Sequence, residues 1–215
     1  MSSSIWSRPA KGSRGPAPAH SREEIVAAAT AMADADGLGA VSMRAVATAL
    51  GTGAGSLYRY LSSRDDLLDL MADRAAGELR PYPEAGDDWL GAMLRIARRQ
   101  LDLYRRHPWL VDLLARQSAP GPQSLAWFDH CLGVLRPVPA PAAAKFEAIA
   151  MMTGVVSLFA RSEQSGPPAG FDGIDMTAFP HLVEAATAAP APAPRRDLFE
   201  ATVRSVLRGL LTDAA

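Results

Sequence analysis

The sequence predicts an all-α protein of about nine or ten helices, an N-terminal three-helix helix-turn-helix unit followed by a larger helical body. Three observations carry that expectation. All 17 prolines fall in positions 9–18 or 81–194, so residues 19–80 are free of the strongest helix breaker. Beyond residue 80 the prolines recur as separators, at Pro81, Pro108, Pro120, Pro137, Pro167, Pro180 and Pro190, with helix-length segments rich in Ala, Leu and Arg between them. No stretch alternates apolar and polar residues as a half-buried strand would. The expected division is a flexible basic arm over residues 1–20, a helix-turn-helix unit over 21–66 and a body over 67–215.

The elements follow in order. Ser21-Arg-Glu-Glu24 has capping-box spacing and opens a first helix, whose apolar face is Ile25, Ala29, Met32 and Ala33 and whose end is Asp36-Gly37. Ser42 is a natural N-cap for a short second helix, Met43 to Leu50, with Val46, Ala47 and Leu50 facing inward. Gly51-Thr52-Gly53 breaks it, with Gly51 where a left-handed backbone is expected. A third helix of about two turns is predicted to reach Tyr60, and Ser62 and Ser63 cap a fourth that opens at Arg64-Asp65-Asp66.

A fifth helix gathers Trp89, Met93, Ile96 and Tyr104 on one arc. Arg95, Arg98, Arg99, Arg105 and Arg106 share another face, expected to be solvated with Asp102 paired to Arg106. Gln100 falls inside the apolar arc, so its amide should be buried and needs partners. Residues 142–160 form a nearly all-apolar helix. Residues 197–211 form an amphipathic one, with Leu198, Phe199, Val203, Val206, Leu207, Leu210 and Leu211 on a broad face and Glu200, Arg204 and Arg208 at i, i+4 spacing beside it.

Composition narrows the class. Hydrophobic residues are 48% and charged residues 21%, an ordinary globular balance. The single cysteine, Cys131, lies in an apolar stripe, excludes an intrachain disulfide and reads as a buried thiol. The start, MSSSIWSRPAKGSRG, lacks the apolar region of a secretory signal. The most apolar stretch, Ala148 to Ala160, is 13 residues, short of the roughly 20 that cross a bilayer, so a soluble cytoplasmic protein without a membrane partner is expected. Net charge is −1, but residues 1–64 carry +3 and the remainder −4, which suggests a polyanion-binding N-terminal end.

Two short helices joined by a glycine-bearing turn make a helix-turn-helix, whose second helix can enter the DNA major groove. Helical spacing leaves Ser56, Arg59, Tyr60 and part of Tyr58 facing outward, and hydroxyl, guanidinium and phenol groups suit phosphates and base edges. Residues 21–75, above all VSMRAVATALGTGAGSLYRYLSSRDDLLDLM (41–71), resemble the DNA-binding domain of the tetracycline-repressor (TetR) family. The matching features are Ser42-Met-Arg44, the Ala47 and Gly51 pair, Leu57-Tyr58-x-Tyr60, and a fourth helix opening with Arg64 before Leu67-Leu68. The resemblance implies that Arg44 reaches a base and that Ser56, Tyr58, Tyr60 and Arg64 meet the DNA backbone. Ala54 and Gly55 depart from the pattern, standing where relatives often carry larger side chains.

The runs LYRRHPWLVDLLA (103–115) and GPQSLAWFDHCLGVLR (121–136) resemble the family's regulatory half more loosely. That resemblance implies a homodimer with a four-helix interface and a small-molecule pocket in each subunit. The candidate pocket residues are Met93, Ile96, Gln100, Trp109, Leu113, Trp127, His130, Met151, Met152 and Phe159. Most have a plainer alternative, Trp109, Leu113 and Trp127 among them. His130 suits a satisfied core histidine, Met151, Met152 and Phe159 suit core or dimer packing, and Gln100 could bond a neighbouring helix.

Catalysis finds little support. His20, His107, His130 and His181 lack metal-ligand spacing, and Asp65, Asp66, Asp69 and Asp73 sit near a helix start that favours negative charge. No metal or cofactor is expected. The reading is therefore a sequence-specific DNA-binding transcriptional regulator and not an enzyme: a repressor that binds a palindromic operator as a homodimer and is released by a small, largely apolar ligand. The alternative is a ligand-carrier or sensor module on the same fold without specific DNA readout.

Overall fold

The computed structural model describes residues 5–7, 20–84, 86, 88–114, 116, 120–165, 173–187 and 197–212. Among these residues there are ten α-helices and no strand: α1 (Arg22–Asp36), α2 (Met43–Ala49), α3 (Ala54–Leu57), α4 (Arg64–Gly77), α5 (Trp89–Arg106), α6 (Trp109–Leu113), α7 (Pro122–Val134), α8 (Ala142–Gln164), α9 (Pro180–Thr187) and α10 (Leu198–Leu211).

Of the first four helices, α1, α2 and α4 start where a serine side chain receives backbone N–H groups. Ser21 accepts from Glu24 N while the Glu24 carboxylate accepts from Ser21 N, a complete capping box. Ser42 and Ser63 accept from Ala45 N and Asp66 N at the starts of α2 and α4. The α2–α3 turn depends on Gly51, whose φ of 64° lies in the left-handed region. Ile25, Ala29, Val46, Ala47, Leu57, Leu61 and Leu67 fill the core of this end and are essentially inaccessible.

The third helix is shorter than the sequence predicts. Its α-helical part is Ala54–Leu57, and the chain continues to Tyr60 in turns. Glycines flank and interrupt it at Gly53 and Gly55, residues that lose the most backbone freedom on entering a helix.

The body is built around α5, which packs against α6, α7, α8 and α10. Its buried face runs from Leu90 to Tyr104 and includes Gln100. The arginines opposite are exposed, as expected, and also reach other helices: Arg98 pairs with Asp197 and Glu200 of the α10 entry, and Arg105 bonds Glu163 of α8 through Nε at 2.8 Å and a terminal nitrogen at 2.7 Å. Asp102 pairs with Arg105, and Arg106 reaches Glu78 instead. The sequence offered only local partners at helical spacing, whereas packing brought carboxylates from other helices nearer.

The long helix α8 also outruns its expected end at residue 160. Its 23 residues include a window of mean hydropathy 1.4, longer than the expected 13-residue stretch and apolar enough to cross a membrane by length and composition alone, a test that the core helix of a soluble protein also passes. Continuing the helix through Arg161 and Gln164 supplies the missing length. It packs along α5 and α10, burying Ala148, Ile149, Met152, Val156 and Ala160.

Most of the expected N-terminal arm lies outside the described residues. Ile5–Ser7, which are described, form a 3-10 turn that is not a solvated arm: Ile5 is 3% exposed and Trp6 packs against the core. A polar, basic composition had masked one apolar pair that finds a groove on the body.

Candidate functional site

At the helix-turn-helix end, Arg44, Tyr58 and Arg59 are exposed, Tyr58 at 55% of its surface. Among the described residues none of the three side chains makes a hydrogen bond or ion pair, so their polar groups remain available to a partner. Ser56 is engaged, donating to Gly53 O at 2.7 Å and lying 2.9 Å from Thr52 Oγ1. Tyr60 is half-buried against the core. Arg64 is exposed, yet its Nε donates to Val41 O at 2.7 Å and a terminal nitrogen to Leu38 O at 2.9 Å. Its guanidinium therefore ties the start of α4 to the loop before α2. This geometry leaves Arg44, Tyr58 and Arg59 as the outward group and gives Arg64 a positioning contact as well.

Helix α4 connects this end to a cavity. Leu68, Asp69, Ala72 and Ala76 project from it, together with Leu79 just beyond, into a space of about 520 Å³. The opposite walls come from Gln100, Leu103 and Tyr104 of α5, Leu110 and Leu113 of α6, Ser124, Leu125, Trp127 and Phe128 of α7, and Phe146 and Thr153 of α8. The size and the mostly apolar lining suit a small organic molecule. Within the wall Gln100 is 5% exposed and its Nε2 donates to Tyr104 Oη at 2.9 Å and Thr153 Oγ1 at 3.5 Å. Burial pushes the Tyr104 phenol up to about 12, so it stays a neutral hydroxyl. Near Arg116 the Asp69 carboxyl is raised from its ordinary value, burial outweighing the arginine.

Three of the ten sequence candidates line this cavity: Gln100, Leu113 and Trp127. Met93, Ile96 and Met152 are at most 2% exposed and pack in the core, away from the lining. Trp109 is equally buried, but its indole points to Asp34. His130 bonds Pro83 O at 3.0 Å and stacks on Tyr82. Met151 is 55% exposed on the outer face of α8, and Phe159 meets the Phe199 ring edge-on. Packing within the chain therefore describes six of these seven, and Met151 stands on the surface. An apolar arc says that a residue faces inward, not which neighbour it meets.

Sequence reasoning missed Tyr104, Phe128, Phe146 and Thr153, and the α4 face. Tyr104 stood in the same arc as Gln100 at i, i+4, and Leu68, Ala72 and Ala76 repeat at four-residue spacing, the signals that pointed there. Cys131 is fully buried, its thiol pushed up to about 12 by burial, as expected of an unreactive core residue.

A polar cluster joins the two ends. His107, 7% exposed in the α5–α6 turn, sets Nδ1 2.7 Å from Asp34 Oδ1 of α1 and Nε2 3.2 Å from both carboxylate oxygens of Glu78, beyond α4. Elsewhere Asp73 of α4 is buried and accepts from Gln123 N and Ser124 N at 2.9 Å each, capping α7 from another helix. Among the described residues no group of three or more His, Cys, Asp and Glu side chains could hold a metal ion.

Comparison with known proteins is consistent with both halves. Residues 25–71 match the family described as bacterial regulatory proteins, tetR family, and residues 82–213 match the tetracyclin repressor-like, C-terminal domain. The HTH-type transcriptional repressor DrrR1 of Streptomyces coeruleorubidus is 39% identical over 74% of this chain and 59% of its own length. An HTH-type transcriptional regulator of Saccharopolyspora erythraea is 38% identical over 57% of this chain and 51% of its own. The chain thus spans between half and three fifths of the length of these relatives. Among solved structures, the TetR family protein ActR of Streptomyces coelicolor in complex with actinorhodin is similar at a TM-score of 0.76 and 27% identity, over 94% of this chain and 100% of that one. Its complex with (S)-DNPA gives 0.74 and 28%, over 93% and 100%.

Proposed function

The chain belongs to the tetR family of bacterial regulatory proteins, and from that membership we propose that it is a sequence-specific, DNA-binding transcriptional repressor released by a small, largely apolar ligand. One observation carries the reading: α4 begins beside the helix-turn-helix and lines the 520 Å³ cavity with Leu68, Asp69, Ala72 and Ala76. A molecule that fills the cavity must contact the helix that carries the DNA-reading end. The solved complexes of ActR with actinorhodin and with (S)-DNPA support a small-molecule effector.

The DNA-reading unit is residues 21–66, with Arg44 reading a base and Ser56, Tyr58, Arg59, Tyr60 and Arg64 on the backbone. The regulatory and dimerisation body is residues 67–215, and residues 1–20 are an arm of which Ile5–Ser7 dock on that body. Two copies read the halves of a palindrome about 34–36 Å apart. The homodimer forms through α8 and α10, which pack on each other and leave Phe146, Met151, Leu158 and Leu198 exposed. The protein acts in the cytoplasm and catalyses nothing. Ligand binding favours a conformation whose two heads no longer fit the operator, with a coupling of about 1–3 kcal/mol.

Selection of random duplex DNA on the purified protein, followed by salt titration of the enriched sequence, tests the reading. One enriched palindrome, bound as a dimer with affinity falling as salt rises, is expected. A folded dimer that enriches no sequence would instead support a ligand-carrier or sensor without specific readout.

A further inference from the structure

The cavity wall holds more polar hydrogens than the protein uses. Gln100 gives both of its identified amide contacts to hydroxyl oxygens, those of Tyr104 and Thr153. Each hydroxyl therefore receives a hydrogen bond while its own proton has no acceptor among the described residues. Turning the Gln100 amide over exchanges the roles but leaves the same surplus, two unspent protons on one small group. Trp127 Nε1 in the same wall is buried without a partner, as is Gln100 Oε1. Gln100, Tyr104 and Trp127 are each more than nine-tenths buried, and all three belong to the cavity wall. A ligand that offers the two hydroxyl protons an acceptor gains over one of the same shape that leaves them unpaired.

The remaining lining limits what that ligand is. Tyr104, Trp127, Phe128 and Phe146 supply aromatic surface, with the Phe128 and Phe146 rings stacked 5.6 Å apart at 25°. Flat rings slide along such faces with offset or edge contacts. The charged side chains of the wall, Asp69 and Arg116, have opposite signs and act on each other, so the lining selects neither a cation nor an anion.

We infer that the cavity takes a flat, uncharged ring compound bearing carbonyl oxygens, an aryl ketone or quinone, with a carbonyl directed at the Gln100–Tyr104–Thr153 group. The inference rests on the cavity being the effector site proposed above. A carbonyl oxygen has two lone pairs and no proton, which matches a wall with surplus donors. A plain hydrocarbon would fill the same space and leave the donors unpaired.

The test uses the full chain and two probes of one three-ring skeleton, 9-fluorenone with a carbonyl and fluorene with a methylene in its place. Equilibrium dialysis gives the affinities, and infrared spectroscopy follows the carbonyl band of bound fluorenone. Fluorenone is expected to bind about tenfold more tightly than fluorene, with its carbonyl band moved to lower wavenumber. Tyr104→Phe and Thr153→Val should each cut that preference about threefold and weaken the band shift, while fluorene binding stays as it was. Thr153→Val is close in shape and half-buried, so it keeps the test decisive if Tyr104→Phe folds poorly. Equal affinity for the two probes, or an unshifted carbonyl band, overturns the inference and leaves the effector site standing. Binding of neither probe overturns it too, and the wider reading is then decided by the DNA assays.

Discussion

Trp109 donates its indole Nε1–H to Asp34 Oδ1 at 2.6 Å, the oxygen that also lies 2.7 Å from His107 Nδ1. Trp109 opens α6, whose Leu110 and Leu113 line the cavity, and Asp34 stands in the last turn of α1. A helix of five residues thus touches the cavity with one face and the helix-turn-helix end with another. A shift of α6 would act on this hydrogen bond as well as on the cavity wall. The contact is a physical link between two sites, and a link of this kind is tested by breaking it alone.

Trp109→Phe keeps an aromatic ring and deletes the N–H. Asp34 keeps His107 but loses one of two donors, so stability should fall by about 1–2 kcal/mol in denaturant titration. Trp109 does not line the cavity, so fluorenone affinity should stay within about twofold of the parent. Equal losses in both measurements would show that α6 is not a separate link.

Gly121→Ala probes the docked N-terminal turn. A Cβ at residue 121 would stand 2.5 Å from Trp6 Cη2 and would also crowd the Asp73 carboxylate that caps α7. Overpacking of this kind costs about 1–3 kcal/mol. Trp6→Ala in the same chain should recover part of the loss, the Asp73 contact retaining the rest. A double-mutant cycle in thermal unfolding reads the coupling, and strict additivity would mean that Trp6 does not occupy that groove in solution.

The local signals were the legible ones. Ser21, Ser42 and Ser63 cap the helices their spacing predicts, and Gly51 takes the left-handed turn it was assigned. Each of these depends on residues within four positions. Gln100 was also placed correctly, because burial follows from helical period. Its partner Thr153 is 53 residues away, and the cavity draws on α4, α5, α6, α7 and α8 together. Spacing along one helix carries no information about which faces of five helices converge. The same limit explains why Arg106 went to Glu78 and not to Asp102.

Acid should loosen α8 from α5. The Arg105 guanidinium holds the Glu163 carboxyl below its ordinary value of 4.5 through two hydrogen bonds. A carboxylate depressed in the folded state contributes stability above its unfolded value, and that contribution is lost as pH falls through the folded one. Both groups are well exposed, so the contribution is at most about 1 kcal/mol. Denaturant midpoints measured from about pH 6 down to about pH 3 should fall less for Glu163→Gln than for the parent, and parallel profiles would contradict the pairing.

Arg44 and Arg64 should separate readout from positioning. Arg44 is exposed and unpartnered among the described residues, so Arg44→Ala should change stability by no more than about 0.5 kcal/mol. On DNA it should relax the preference for one base of the selected sequence by about 1–3 kcal/mol. Arg64 binds the carbonyls of Val41 and Leu38, so Arg64→Ala should lower stability by about 1–3 kcal/mol and weaken binding to every sequence alike. Arg64→Lys keeps the charge but loses the fork that reaches both carbonyls, so it should resemble the alanine variant in the melt. A phosphate contact alone would give the opposite pattern, with lysine rescuing DNA binding and neither variant affecting the melt.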